Sequence, residues 1–192
     1  IGLVATAGSV VLGTLVAFAI GRYRFRGRAG SNLLVFMPMA TPEVVMGSSL
    51  LTLFVAMSFA TGVTTILIAH VMFCLSFVVV TVKARIASLD PRLEQAAMDL
   101  YADEKTTFWR VTFPQVLPGI VGASLLAFSL SFDDFIITNF NSGSSVTFPM
   151  FVWGSAQRGT PPQINVVGSL MFFISLAIVL LGQVLQRRRA KK

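Results

Sequence analysis

The stretch that decides the fold runs from Lys83 to Pro118, and its centre is Leu93-Glu94-Gln95-Ala96-Ala97-Met98-Asp99-Leu100-Tyr101-Ala102-Asp103-Glu104. It holds five of the eight acidic and five of the fifteen basic residues, between apolar blocks long enough to cross a bilayer. Helix formers after Asp90-Pro91 predict a short helix over 92–100. A second helix is predicted from Asp103 to about Thr112, ending at Pro114. Two short helices joined at a corner indicate a docking element; an amphipathic loop lying on the lipid headgroups is the alternative.

The composition indicates an integral membrane protein. Hydrophobic residues make up 55% of the 192 residues, charged residues only 12%, and the mean hydropathy is +0.79. A soluble domain carries roughly twice that share of charge. The net charge of +7 therefore does not indicate a nucleic-acid partner.

Five apolar runs predict five membrane spans, at about 3–20, 32–57, 63–82, 119–137 and 164–185. The segment 138–163 is predicted to be an outside loop with a surface-lying helix at Phe148–Trp153. Fourteen of the fifteen basic residues fall in 22–28, 83–118 and the tail 187–192, which places these segments and the C-terminus in the cytoplasm. Because the chain starts with Ile1 on the predicted outer side, we expect a sixth, N-terminal span in the complete protein, and a single transmembrane domain over 1–192.

Three acidic residues inside the spans, Glu43, Asp133 and Asp134, are candidates for function. Each costs about 2.5–3.5 kcal/mol at mid-membrane on insertion scales. They could line a route for a cation, or they could be hydrogen-bonded acids that hold the bundle together. His70 and Cys74 are interpreted as packing residues. We predict no metal site, no cofactor and no phosphate-binding glycine loop, so that nucleotide hydrolysis belongs to a partner.

The loop resembles the cytoplasmic "EAA" loop of ABC-importer permeases. Gln95-Ala96-Ala97 occupies the Glu-Ala-Ala positions, Tyr101 the glycine position and Phe113-Pro114 the Leu-Pro position. Two departures are the glutamine at 95 and the tyrosine at 101, where a side chain at positive φ would be strained. The resemblance implies a coupling helix that docks on an ATPase subunit, with a coupling set of Glu94, Gln95, Ala96, Ala97, Asp99, Tyr101, Glu104 and Pro114.

Beyond the loop, nearly the whole chain is similar to the permease subunits of bacterial spermidine/putrescine ABC importers, the inner membrane components of binding-protein-dependent transport systems. The residues that carry this are Tyr23-Arg24-Phe25-Arg26-Gly27, Pro42-Glu43-Val44-Val45-Met46, Ser76–Val82 and Leu130-Ser131-Phe132-Asp133-Asp134. The resemblance implies an all-α polytopic bundle of the type I, MetI-like kind in the bacterial inner membrane. It implies ABC ATPase subunits, a second permease and an extracytoplasmic substrate-binding protein as partners. The acids within the spans then form the predicted substrate pathway, and Ser131, one helical turn before Asp134, is expected to orient that carboxylate. The pathway set is Glu43, Ser131, Asp133 and Asp134.

Other functions stay open from the sequence. Permeases for iron, thiamine or phosphonates share the coupling loop and the fold. An ion-coupled secondary carrier would need no ATPase. An intramembrane aspartyl enzyme would need Asp133 to pair with Glu43, because adjacent aspartates on a helix point about 100° apart.

Overall fold

The computed structural model describes residues 1–159 and 162–190, and all the secondary structure in that part of the chain is helical. It divides into two compact units, Ile1–Ser145 and Val146–Lys192. The all-α expectation is confirmed. The first unit contains α1 (Gly2–Arg22), α2 (Arg28–Ala40), α3 (Glu43–Ala56), α4 (Val63–Ala87), α5 (Arg92–Asp99), α6 (Glu104–Thr107), a π-helical turn (Phe108–Thr112), α7 (Phe113–Asp133) and α8 (Ile136–Asn141).

Helices α1 and α4 run parallel and in close contact. Gly8 faces Val71, Gly13 faces Val78 and Gly21 faces Ile86, so the offset between the two helices is nearly constant. At Gly13 a Cβ atom would lie 2.7 Å from the Val78 side chain, which is too close for any larger residue. The small residues of the first apolar run therefore serve close helix packing.

Helix α7 runs antiparallel to α4 along the same bundle. Arg85 Nε donates to the carbonyl of Gln115 at 2.8 Å, and Cys74 lies against the carbonyl of Ala127 further along. The bundle consequently has two distinct ends. The C-termini of α1 and α4, with α5 and α6, lie at the end that we call the loop end. The N-termini of α1 and α4 and the C-terminus of α7 lie at the opposite end, which we call the acid end.

The core of the first unit is apolar, and so is much of its surface. Val78, Val79 and Val82 of α4 are buried, whereas Leu3, Val11 and Leu15 of α1 are more than 60% exposed. A helix that is apolar on all sides has a packed face and a face for lipid. In the described part, three helices are long and apolar enough to cross a membrane: α1, α4 and the rod from Glu104 to Asp133.

The second predicted span is not one straight helix. Helices α2 and α3 are long and apolar enough to cross a membrane only when taken together, and they are bent by 108° at Thr41-Pro42. Thr41 is extended (φ −84°, ψ 130°) because the residue before a proline avoids the helical region. The two prolines of this span predict breaks at both Pro38 and Pro42. The break at Pro42 is confirmed, whereas the break at Pro38 is wrong because α2 continues through that residue to Ala40.

The fourth predicted span has different ends from those expected. The helix that begins at Glu104 does not stop at Pro114; it passes through the π-helical turn into α7 and continues past Pro118. Phe113 N–H bonds to the carbonyl of Phe108, which is the i to i+5 hydrogen bond of a π-helix. This change in the helical hydrogen-bond pattern comes directly before Pro114, which has no backbone N–H to donate. At the other end the helix stops at Asp133, and Asp134 is extended (ψ 121°).

The second unit contains α9 (Phe148–Arg158) and α10 (Pro162–Ala190). The helix predicted around Phe148–Trp153 is confirmed as α9, with Pro149 in its first turn. The fifth predicted span lies within α10, whose stretch Pro162–Ile174 is apolar. The side chains of Arg158 and of the basic tail lie outside the described part, and the single domain over 1–192 stays a prediction.

Candidate substrate pathway and coupling loop

A buried polar network lies at the acid end, where α7 stops. The Asp134 side chain turns onto α8: its Oδ2 accepts from the backbone N–H and from Oγ1 of Thr138, both at 2.8 Å. Its Oδ1 accepts from the N–H of Ile137 at 3.4 Å. Asp134 thus satisfies the first free amides of α8, in the manner of a helix N-cap.

His70 of α4 joins the three elements of this network. Its Nδ1 lies 2.7 Å from Ser131 Oγ on α7, and its Nε2 lies 2.8 Å from Thr138 Oγ1 and 3.3 Å from Asp134 Oδ2. His70, Ser131, Asp134 and Thr138 are all at most 8% exposed. His70 is buried, in agreement with its interpretation as a packing residue, and its ring also holds α4, α7 and α8 together through polar contacts.

The remaining contacts of α8 fix it against α3 and α4. Asn141 Nδ2 donates to the carbonyl of Gly47 at 3.3 Å, and Thr65 Oγ1 donates to the carbonyl of Asn141 at 2.7 Å. A Cβ atom at Gly47 would lie 2.9 Å from the Phe140 ring, so glycine allows α3 to approach α8. Helices α3, α4, α7 and α8 are therefore joined by polar contacts at the acid end.

The pathway residues predicted from the sequence separate into two groups. Asp134 and Ser131 are buried and committed to the network, and Ser131 bonds to His70 rather than orienting the Asp134 carboxylate. Asp133 and Glu43 are exposed, and within the described residues no other side chain bonds to either carboxylate. Glu43 opens α3 one turn before Gly47, which touches α8, and Asp133 directly precedes that region, so both belong to the acid end.

The coupling loop at the loop end has the predicted corner. Helix α5 ends at Asp99, Tyr101 adopts φ 64°, and Ala102 N–H bonds to the carbonyl of Ala97 at 3.1 Å while Tyr101 N–H bonds to that of Met98 at 2.9 Å. This pair of bonds is a Schellman motif, which places a left-handed residue where glycine is usual. Tyr101 therefore adopts the strained left-handed conformation that its place at the glycine position of the EAA loop predicted. Its side chain is 99% exposed.

Helix α5 presents most of the predicted coupling residues outward. Gln95, Ala96 and Asp99 are exposed, whereas Glu94 and Ala97 are half-buried on the side facing the bundle. Beyond the corner, Asp103 caps α6 by accepting from Thr106 N–H at 3.1 Å, which confirms the predicted start of the second helix. Glu104 and Pro114 are exposed.

Glu94 does not point away from the bundle as its placement in the coupling set implied. Arg22, the last residue of α1, donates from Nη1 to Glu94 Oε2 at 3.0 Å and from Nη2 to Oε1. Thr112, in the π-helical turn, also donates to Oε1. The pKa of Glu94 is lowered, mainly because Arg22 hydrogen-bonds to the carboxylate. Partial burial acts in the opposite direction, and the hydrogen bond from Thr112 lowers the pKa further.

Comparison with known proteins gives the class of the chain. Residues 9–192 match the family described as "Binding-protein-dependent transport system inner membrane component". The chain belongs to this family. It is a multi-pass inner-membrane transport subunit and not an enzyme, which removes the aspartyl-enzyme alternative.

Three relatives are similar over most of the chain. The spermidine/putrescine transport system permease protein PotC of Haemophilus influenzae is 37% identical over 94% of this chain and 70% of its own length. The putrescine permease PotI of Escherichia coli is 40% identical over 87% of this chain and 62% of its own length, and PotC of the same organism is 34% identical over 95% and 70%. The chain therefore spans 62–70% of the length of these relatives.

Solved structures confirm the fold. An inward-facing MetNI methionine ABC transporter matches with a TM-score of 0.74 at 16% identity, over 97% of this chain and 92% of that one. An amino acid ABC transporter matches with a TM-score of 0.69 at 17% identity, over 97% and 90%. The predicted type I permease fold is confirmed by these likenesses.

Sequence reasoning missed four residues that the structure makes important: His70, Thr138, Arg22 and Thr112. A lone histidine in an otherwise apolar span was the available signal for His70, since a polar side chain in a membrane helix needs a partner. Thr138, four residues after Asp134, has the spacing of a cap contact. Nothing in the sequence indicates that Arg22 and Thr112 meet Glu94, 72 and 18 residues away.

Proposed function

We propose that this chain is the permease subunit of an ATP-driven importer of polyamines. The observation that carries the substrate class is the similarity to relatives named for spermidine and putrescine transport, at 34–40% identity over 87–95% of this chain. The chain itself forms and breaks no covalent bonds.

The acid end supports a cationic substrate. A polyamine carries several protonated amines, each a compact charge with hydrogen-bond donors, and a carboxylate along the route replaces part of the hydration lost by one amine. Asp133 and Glu43 are exposed acids at this end, while Asp134 is committed to the buried network. We therefore assign the pathway to Asp133 and Glu43, and assign Ser131 and Asp134 to holding its wall in place.

The loop end supports docking of ABC ATPase subunits. The exposed face of α5 (Gln95, Ala96 and Asp99) and the projecting Tyr101 form the docking surface, with Glu104 and Pro114 on the following rod. This end faces the cytoplasm, and the C-terminus lies on the same side. An extracytoplasmic binding protein delivers the polyamine at the acid end, and a second permease subunit completes the pathway. ATP-driven movement of the ATPase dimer switches the bundle between inward-open and outward-open states.

The test is transport by the complete system in proteoliposomes. The full-length permease is reconstituted with its ATPase, second permease and binding protein, and uptake of radiolabelled putrescine and spermidine is measured with and without ATP. We expect ATP-dependent polyamine uptake that ferric iron, thiamine and phosphonate do not compete with. Uptake driven by an ion gradient without ATP would contradict the ATPase assignment, and competition by one of the other solutes would reassign the substrate.

A further inference from the structure

The coupling helix α5 is held to the bundle chiefly by polar contacts of one side chain. No residue of α5 is buried, so apolar packing contributes little to its position. The Glu94 carboxylate, in contrast, binds both Arg22 of α1 and Thr112 of the π-helical turn. We propose that Glu94 is a positioning residue that transmits displacement of the coupling helix to α1 and to the rod α6–α7, instead of contacting the ATPase. This inference rests on the proposed function.

The contact with α1 leads to the far end of the bundle. Arg22 lies over the Phe18 ring, 6.0 Å from its centroid, and Phe18 packs edge-on against Phe108 at 5.5 Å. The guanidinium therefore rests on a ring of its own helix, and that ring packs against the π-helical turn. Helix α1 then runs about 30 Å along α4 as a rigid rod of 21 residues. Its first residue, Gly2, lies beside Phe128 and Ser131 at the acid end, and Ser131 is part of the network around His70.

The contact with Thr112 leads to the same end by a second route. Thr112 is the last residue of the π-helical turn. Single π-helical turns inside α-helices are frequent at functional sites. The helix continues from there without a break to Asp133, the exposed acid of the proposed pathway. The Glu94 carboxylate thus binds both elements that connect the coupling loop with the acid end, which are α1 and the rod from α6 to α7.

The energies separate this role from a stabilising one. The Arg22 and Glu94 side chains are 32% and 22% exposed, and an ion pair this accessible to solvent contributes little to the stability of the fold. Because the pKa of Glu94 is lowered, its contribution is present at neutral pH and is lost only as the pH falls through the folded-state pKa. Breaking the pair at neutral pH should therefore leave the fold intact and change the coupling.

The experiment compares ATP hydrolysis with uptake in the reconstituted complex. In Glu94→Gln we expect the ATPase to copurify at the wild-type ratio and to keep hydrolysing ATP. We expect the polyamine taken up per ATP to fall by about 5- to 150-fold, the range typical of coupling between sites. The charge-swapped double variant Glu94→Arg with Arg22→Glu restores the pair and should recover most of the ratio, whereas a residue that acts only on the ATPase would not be rescued from α1.

The exposed face of α5 supplies the matched control. Gln95→Arg with Asp99→Arg should lose copurification of the ATPase, a different defect from that of Glu94→Gln. Loss of the ATPase in Glu94→Gln would overturn the inference by placing this side chain at the interface, and would leave the proposed function standing. Normal coupling in Glu94→Gln, or failure of the swap to rescue it, would also overturn the inference. Full ATPase binding and uptake in the Gln95 and Asp99 double variant would instead contradict the proposed docking surface.

Discussion

Two adjacent aspartates have different surroundings in this chain. Asp134 is 8% exposed and accepts hydrogen bonds from Ile137 and Thr138, with His70 beside it. Asp133 is exposed and forms no contact of that kind within the described residues. The difference follows from the end of α7, because the extended backbone of Asp134 turns its side chain onto α8 while Asp133 stays on the last helical turn.

Asn substitutions at the two positions should therefore have different effects. Asp133→Asn removes a charge-assisted contact worth roughly 1.5–3 kcal/mol, so we expect polyamine binding and uptake to fall about 10- to 150-fold at unchanged membrane abundance. Asp134→Asn should instead lower thermal stability and abundance. Uptake per membrane-inserted molecule distinguishes the two cases, and near-normal uptake by Asp133→Asn would return that residue to a structural role.

His70 tests the network directly. His70→Phe keeps an aromatic ring but leaves Ser131, Thr138 and Asp134 without their shared partner, and an unsatisfied buried polar group costs about 1–3 kcal/mol. We expect a lower melting temperature in detergent. Ser131→Ala, which removes a single hydrogen bond, is the milder control. Equal melting temperatures for His70→Phe and wild type would mean that the network contributes nothing to stability.

At the scale of elements, the corner after α5 carries a strained residue. Tyr101 has φ 64°, a conformation that costs a residue with a Cβ atom roughly 1–2 kcal/mol. Tyr101→Gly should relieve that strain and raise the melting temperature of the isolated permease. Leu100→Gly is the matched control, because Leu100 is also exposed but has φ −87°, where glycine only adds freedom to the unfolded chain. A destabilised Tyr101→Gly would show that the side chain contributes to the fold despite its exposure.

The elements that the sequence predicted are those set by local signals. Apolar length predicted α1 and α4, and the helix formers of 92–100 with a helix start at Asp103 predicted the corner, because these signals depend on residues near each other in the chain. The resemblance to the EAA loop indicated the left-handed residue at Tyr101. The rod through Pro114 was missed because a π-helical turn absorbs the missing donor. The inward face of Glu94 was missed because its partner Arg22 is distant in sequence, and an eight-residue helix gives little indication of which side packs.

At the scale of the molecule, the two ends of the bundle must lie on opposite sides of the membrane. The parallel arrangement of α1 and α4, with α7 antiparallel to both, brings the basic segment after Arg22 to the same end as the coupling loop. Ser144, just after α8, belongs to the acid end and is exposed. The basic residues at the loop end favour the cytoplasmic side.

Cysteine labelling in sealed, oriented vesicles checks this arrangement. The wild-type chain is the control, because its one cysteine, Cys74, is buried and should not react. A membrane-impermeant maleimide added from outside should label Ser144→Cys, and should label Arg26→Cys and Lys105→Cys only after the vesicles are opened. All three positions are exposed. Labelling of Lys105→Cys from outside would place the coupling loop away from cytoplasmic ATP, and an ATPase could not then drive transport through it.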